Sequence, residues 1–195
     1  MKGKVIFFVT SNIHKFNEAR RILREYKIST AMLKNVDAVE VQDDDIENVA
    51  KANAIDAVRK CKLSIVVEDT GLFIKALKDF PGPYSSFVHR TIGNDGILRL
   101  MENITDRSAR FKSIVAFLDP LIAKPFCFTG EAQGKIIKEK RGSREFGFDP
   151  IFVPSNSTET FAEMSIEEKN QHSHRALAFR KFAKWYSQIS GLQKS

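Results

Sequence analysis

Lys15 sits where its own charge is locally unwelcome. The run Val5-Ile6-Phe7-Phe8-Val9 has the continuous apolar character of a strand buried on both faces. Thr10, Ser11 and Asn12 follow as helix-capping types, and Phe16, Ala19, Leu23 and Tyr26 recur at helical spacing. The start of a helix carries about half a positive charge and free N–H groups, so an ammonium in its first turn is unfavourable. A phosphate would repair the conflict, accepting from the helix amides, from Asn12 and from Lys15 together. A solvated lysine on an exposed turn fits the segment equally well. The segment is not a Walker loop, because no glycine pattern leads to the lysine.

The next residues able to do chemistry are Glu68 and Asp69, after the apolar run Leu63 to Val67. The sequence predicts a strand ending there, with a turn at Thr70-Gly71, and strand ends are where α/β sheets carry ligand-binding groups. Side chains alternate along a strand, so only one of the two carboxylates can serve a cleft. Magnesium takes one or two carboxylates plus phosphate oxygens and water, which Asp69 and Glu40 could supply. Taken alone, Asp69 fits a simple cap of the turn at Thr70-Gly71 better, and Asp43, Asp44 and Asp45 fit the cap and first-turn charge of the following helix. Asp69-Thr70-Gly71 also spells the aspartic-protease triplet, but such enzymes need two aspartates sharing a proton. The chain has no second triplet, and its helical ends do not suit a nearly all-β protease.

A third group lies downstream. Phe146-Gly147-Phe148-Asp149 sets two aromatic rings beside an acid, and aromatic faces stack on bases for about 1–3 kcal/mol each. At least one of these rings is expected in the core. Ser165 and Glu168 have capping-box spacing. Ser173 fits the cap of a last helix that again opens on cations, His174-Arg175. That helix carries Ala178, Phe182, Trp185 and Ile189 as its apolar stripe.

These residues need a scaffold, and the remaining sequence describes one. The chain has 195 residues, 43% apolar and 28% charged, enough for one domain with a sizeable core. A strand–loop unit near Glu40 is followed by Asp43-Asp44-Asp45 and a helix running to about Lys60, Pro81-Gly82-Pro83 is a rigid turn, and Asn94 fits the cap of a helix with Ile97, Leu98 and Met101. Phe111 to Leu118, Phe126 to Thr129 and Glu131 to Ile137 read as neighbouring strands punctuated by Gly130 and Gly134. They leave no room for helical crossovers, so the fold is α/β with a mixed sheet. The net charge of +7 suits a polyanion, either a phosphorylated small molecule or nucleic acid. The second alternative predicts steeply salt-dependent binding without turnover. No apolar run reaches a membrane span, the first ten residues contain no cleavage site, and Cys61 and Cys127 lack metal-ligand spacing. A cytoplasmic protein with free thiols is expected.

Taken together the motifs resemble the inosine triphosphate pyrophosphatase family, also called Ham1-like. The matching segments are Val9 to Asn12 with Lys15, Val67 to Leu72, Pro81 to Ser85, Phe146 to Phe152, and Thr160 to Met164 continuing to Arg175. The resemblance implies a single domain over residues 1–195 with an elongated central mixed sheet, two lobes and a cleft between them. It implies hydrolysis of ITP, dITP and XTP to monophosphate and pyrophosphate, with magnesium as cofactor. It further implies a homodimer with no stable nucleic-acid partner and no membrane association. Carried over by position, Glu40 and Asp69 would hold the metal, with Asp69 also accepting a proton. Thr10, Ser11, Asn12, Ile13, His14 and Lys15 would bind the triphosphate. Thr70, Phe146, Gly147, Phe148, Asp149, Lys169, His174 and Arg175 would contact the nucleotide. His14 and Glu145 stand where relatives often carry glycine, and Thr70 replaces a common serine. Lys51 has no assigned place in the site.

Overall fold

A computed structural model describes residues 5–34, 36, 41–143 and 146–191. Glu40, one of the expected metal ligands, and Glu145 lie outside the described residues. The chain opens with β1 (Ile6–Val9), α1 (Ile13–Glu25), β2 (Thr30–Leu33), α2 (Ile46–Cys61) and β3 (Ile65–Ile74). A short β4 (Pro81–Gly82) leads into α3 (Ser85–Thr91) and α4 (Gly93–Leu100). The long strands β5 (Ser108–Leu118) and β6 (Phe126–Ile136), the edge strand β7 (Phe152–Pro154) and helices α5 (Ile166–His172) and α6 (His174–Ser190) complete it. One mixed sheet runs β2-β1-β3-β5-β6-β7, with β4 beside β3. The strands joined through helices, β2, β1 and β3, are parallel, and those from β3 to β7 are antiparallel. This is the division the short connections require.

Several boundaries differ from expectation. Among the described residues the strand before α2 is Thr30–Leu33, and the strand–loop unit expected near Glu40 falls outside them. β3 does not stop at Glu68 but pairs with β5 from Ile65 to Ile74, so Thr70-Gly71 is strand and not turn. Gly71 serves close approach instead: a Cβ there would meet the Gly82 carbonyl oxygen at 2.5 Å, where β4 packs in. β6 is likewise continuous through Gly130, whose missing Cβ would fall 2.1 Å from the His174 carbonyl oxygen. That glycine lets the start of α6 rest on the sheet. Asn94 lies inside α4, and its amide donates to the Gly147 carbonyl at 3.1 Å instead of capping the helix. Ile189 is exposed, and α6 buries Ala178, Phe179, Phe182, Ala183 and Tyr186.

The alternation of β3 divides the core. Val66, with Phe8, Val115 and Phe117, packs beneath α1 and α6. Ile65 and Val67, with Ile114 and Ala116, pack beneath the alanine face of α2. A third cluster around Leu72, Ile97, Phe111, Phe152 and Phe161 closes the other end of the sheet. Cys61 and Cys127 are free and half-buried. Among the described residues no helix is long and apolar enough to cross a membrane.

Candidate active site

On the α1–α6 side of β3, Glu68 is the hub of a buried ion cluster. Its carboxylate accepts from Arg175 Nε at 3.1 Å, from the hydroxyls of Ser113 and Thr70, and pairs with Lys15 Nζ at 2.8 Å. Arg175 Nη1 reaches Glu18 at 2.6 Å, and the other oxygen of Glu18 accepts from Lys169 Nζ at 2.9 Å. Lys169 in turn pairs with Asp149. Lys15, Lys169 and Arg175 are thus balanced by Glu18, Glu68 and Asp149. Burial opposes charge on Glu68 and Glu18, but the adjacent Arg175 with Lys15 or Lys169 outweighs it and holds both below the usual carboxylate range. Asp149 shifts the other way, because its burial outweighs the pull of Lys169.

The dipole conflict at Lys15 therefore has a partner within the chain. Asn12 caps α1, its Oδ1 accepting from the amides of His14 at 2.9 Å and Lys15 at 3.2 Å, while the Lys15 side chain turns away to Glu68. The cations opening α6 are likewise internal. Ser173 caps the helix, Arg175 is 1% exposed, and its nitrogens are engaged by Glu18, Glu68 and Thr70. His174 is buried and stacked on Phe111, with ring centroids 4.5 Å apart. Burial, with the positive charges of Arg175 and Lys169, drives its pKa well below the ordinary histidine value, so the ring is neutral at pH 7.

Asp69 faces the opposite way, toward α2. Asn53 Nδ2 donates to its Oδ2 at 3.1 Å. Burial raises the pKa of Asp69, with Lys15 and Asn53 pulling against the rise. Lys51 stands apart on the helix surface, paired with Glu47 at 2.6 Å.

Between α1, α3 and the loop at Phe146 lies a cavity of about 330 Å³. Of the expected substrate residues its wall includes Asn12, Lys15, Thr70, Phe146, Gly147, Phe148, Asp149, His174 and Arg175. Lys169 lies behind Asp149, with its ammonium 5.1 Å from the centre of the Phe146 ring. His14 sits beside the same ring at 5.5 Å. Thr10 Oγ1 accepts from the Asn12 amide, Ser11 is exposed, and Ile13 is 48% exposed, so none of these three side chains forms the wall. Asp69 is not on the wall either. Phe148 is the ring of the pair that joins the core.

Sequence reasoning missed the wall supplied by Ser86, His89 and Arg90 of α3 and by Phe111 of β5. The spacing of Ser86, His89 and Arg90 places them on one helix face, but only the docking of Ser85 onto Leu72 at 2.8 Å turns that face inward. Glu18 was missed too. It follows Lys15 by three residues on α1, a spacing that places both on one face.

The assembled site has counterparts in known proteins. The chain is 45% identical over 181 residues to a dITP/XTP pyrophosphatase of Methanopyrus kandleri, covering 93% of this chain and 95% of that one. It is equally 45% identical over 184 residues to a dITP/XTP pyrophosphatase of Saccharolobus solfataricus, covering 94% of each. The structure of a HAM1 protein from Coxiella burnetii superposes with a TM-score of 0.83 at 27% identity, covering 94% of this chain and 98% of that one. The model of the Ham1 family matches residues 6–185, and this chain belongs to that family.

Proposed function

We propose that the chain hydrolyses non-standard purine nucleoside triphosphates, ITP, dITP and XTP, to monophosphate and pyrophosphate. The observation that carries this reading is the cavity itself, where an aromatic face at Phe146, a neutral His174 and the cationic start of α1 meet. Support comes also from the relatives named dITP/XTP pyrophosphatase at about 45% identity over nearly their whole length.

In this reading the base lies against Phe146, beside His174, Asp149 and the amides of the Gly147 turn. A neutral imidazole has one donor and one acceptor nitrogen, and Nδ1 of His174 has no partner among the described residues. Hypoxanthine and xanthine offer a 6-oxo acceptor where adenine offers an amino donor, so a wrong base leaves polar groups unpaired. Arg175, with its nitrogens already engaged, sets the shape and charge of the floor beneath Phe146 rather than reading the base directly. The triphosphate runs past Asn12 and Lys15 toward Asp69. Asp69 takes the proton of the attacking water.

The oxygen chemistry around Asp69 fits a hard divalent cation. Beside its carboxylate, the amide oxygen of Asn53 is buried with no partner among the described residues, an acceptor for one of the waters such a cation keeps. Asp69, with Glu40, would hold magnesium, which neutralises phosphate charge when bound. Among the described residues no group of three or more His, Cys, Asp or Glu forms a ready-made cage, and magnesium bound with substrate does not need one. A cytoplasmic homodimer that binds neither membrane nor nucleic acid belongs to the same proposal, on the family resemblance.

The test is pyrophosphate release from ITP, XTP, dITP, ATP and GTP, with and without magnesium. Magnesium-dependent release from the first three, well ahead of ATP and GTP in kcat/KM, is expected. Equal turnover of all five would remove the base-reading site, and no turnover of any would remove the enzyme.

A further inference from the structure

Asp69 is held by a side chain that belongs to none of the recognisable motifs. Asn53 lies within α2, next to Ala54 on the helix face packed against β3. Its Nδ2 donates to Asp69 Oδ2, and its Oδ1 is buried without a partner among the described residues. Packing gives no reason for an asparagine here. It is a poorer helix former than leucine or alanine, and a buried acceptor left unpaired is unfavourable. The same helix uses Ala50, Ala54 and Ala57 where it only needs to approach the sheet. An amide that accepts these disadvantages beside a carboxylate has a task in that carboxylate's chemistry.

Resting on the pyrophosphohydrolase reading above, we propose that Asn53 is the positioning residue for Asp69 and for the attacking water. Its N–H fixes the carboxylate plane by holding Oδ2, which leaves Oδ1 of Asp69 directed at the water. Its own carbonyl oxygen accepts from the second hydrogen of that water. The two acceptors together turn an oxygen lone pair toward phosphorus. As the new P–O bond forms, the proton passes to Asp69 and the phosphoanhydride bond breaks, releasing pyrophosphate.

The test is Asn53→Leu, which keeps the branching at Cγ while removing both ends of the amide. Asn53→Ala reports the same should the leucine variant fail to fold. For ITP, kcat is expected to fall about 30-fold or more, with KM within about threefold and melting temperature held or raised. Affinity for Mn²⁺ alone, measured by calorimetry, is expected to stay within about threefold. A structural role would instead lower melting temperature and leave kcat near wild type. Loss of Mn²⁺ binding in step with kcat would make Asn53 a support of the cation and overturn the water assignment. If the wild type turns over ITP and both variants match it within threefold, the Asn53 inference fails alone. A wild type without pyrophosphatase activity removes the underlying reading and this inference with it.

Discussion

The two faces of β3 treat adjacent carboxylates in opposite ways. Glu68 is completely buried, yet Arg175, Lys15 and two hydroxyls hold it charged. Asp69, one residue on, has one amide and a distant lysine, and burial raises its pKa. On the first face every buried charge has a partner of opposite sign, which ties α1, α5 and α6 to the sheet. On the second, proton affinity is left high and a neighbouring amide oxygen is left without a partner. A closed charge cluster serves as scaffold, whereas an under-satisfied carboxylate is the one able to accept a proton.

Replacing Glu68 by Gln tests the first half of the comparison and should have the largest effect. The change is nearly isosteric but leaves Lys15 without its anion and Arg175 with Glu18 alone, a loss of about 3–5 kcal/mol for a broken buried pair. For a chain of this size that is a fall in melting temperature on the order of 10 °C. The lowered pKa makes this contribution fully present above about pH 4.5, the ordinary glutamate value, and lost as pH falls through the lowered one. The variant should therefore lose less stability on acidification than the wild type. An unchanged melting temperature at pH 7 would show the cluster to be incidental.

Asp69→Asn tests the other face with the opposite signature. Turnover should fall at least about a hundredfold, the scale of a lost proton-transfer group. Stability should hold or rise, because a carboxyl whose folded pKa is raised is destabilising once ionised. Activity within a few-fold of wild type would remove Asp69 from the chemistry. A large fall in melting temperature would erase the distinction between the two faces.

Much of this contrast was legible in the chain. Alternation separates Glu68 from Asp69 whatever the surrounding fold, and the helix starts at Asn12 and Ser173 followed from capping chemistry. What could not be read was anything set by a partner distant in sequence. Thr70-Gly71 has turn-forming residues, and only the β5 ladder keeps it extended. Gly130 looks like punctuation until α6 is seen resting against it. Asn53 and Glu18 are ordinary residues of amphipathic helices, and neither gains meaning before Asp69 and Arg175 are brought alongside. The motifs of the candidate site were local, and their supports were not.

Lys15→Ala shows how that affects energetics. The helix dipole alone argues that removing a first-turn cation holds or raises stability. The contact with Glu68 reverses the sign, since a buried carboxylate oxygen loses its partner, and a decrease of about 1–2 kcal/mol is expected. Melting curves with and without a non-hydrolysable ITP analogue separate the two contributions. The free protein should melt lower, and the ligand-induced rise should shrink. A free protein that melts higher would mean the dipole outweighs the ion pair.

The smallest expected effect concerns His174, the neutral group on the charged face. Its ring is stacked on Phe111 and surrounded by Arg175, Lys169 and Lys15, with Glu68 the opposing influence. The unfolded chain takes up a proton at this residue near pH 6.5, while the folded chain resists it far lower. Stability tied to the neutral ring is therefore complete above pH 6.5 and is lost as pH falls toward the lowered folded value. The slope is at most about 1.4 kcal/mol per pH unit for one proton. Between pH 6.5 and 5.5 Glu68 and Glu18, both held below the usual carboxylate range, stay ionised, so this loss can be read separately from theirs. His174→Asn cannot take up that proton, and its melting temperature should be flatter across the window even if it starts lower. Parallel slopes for variant and wild type would show that the imidazole enters the folded state already protonated. The floor of the cavity would then carry a further positive charge, and the neutral imidazole proposed to read the purine edge would be lost.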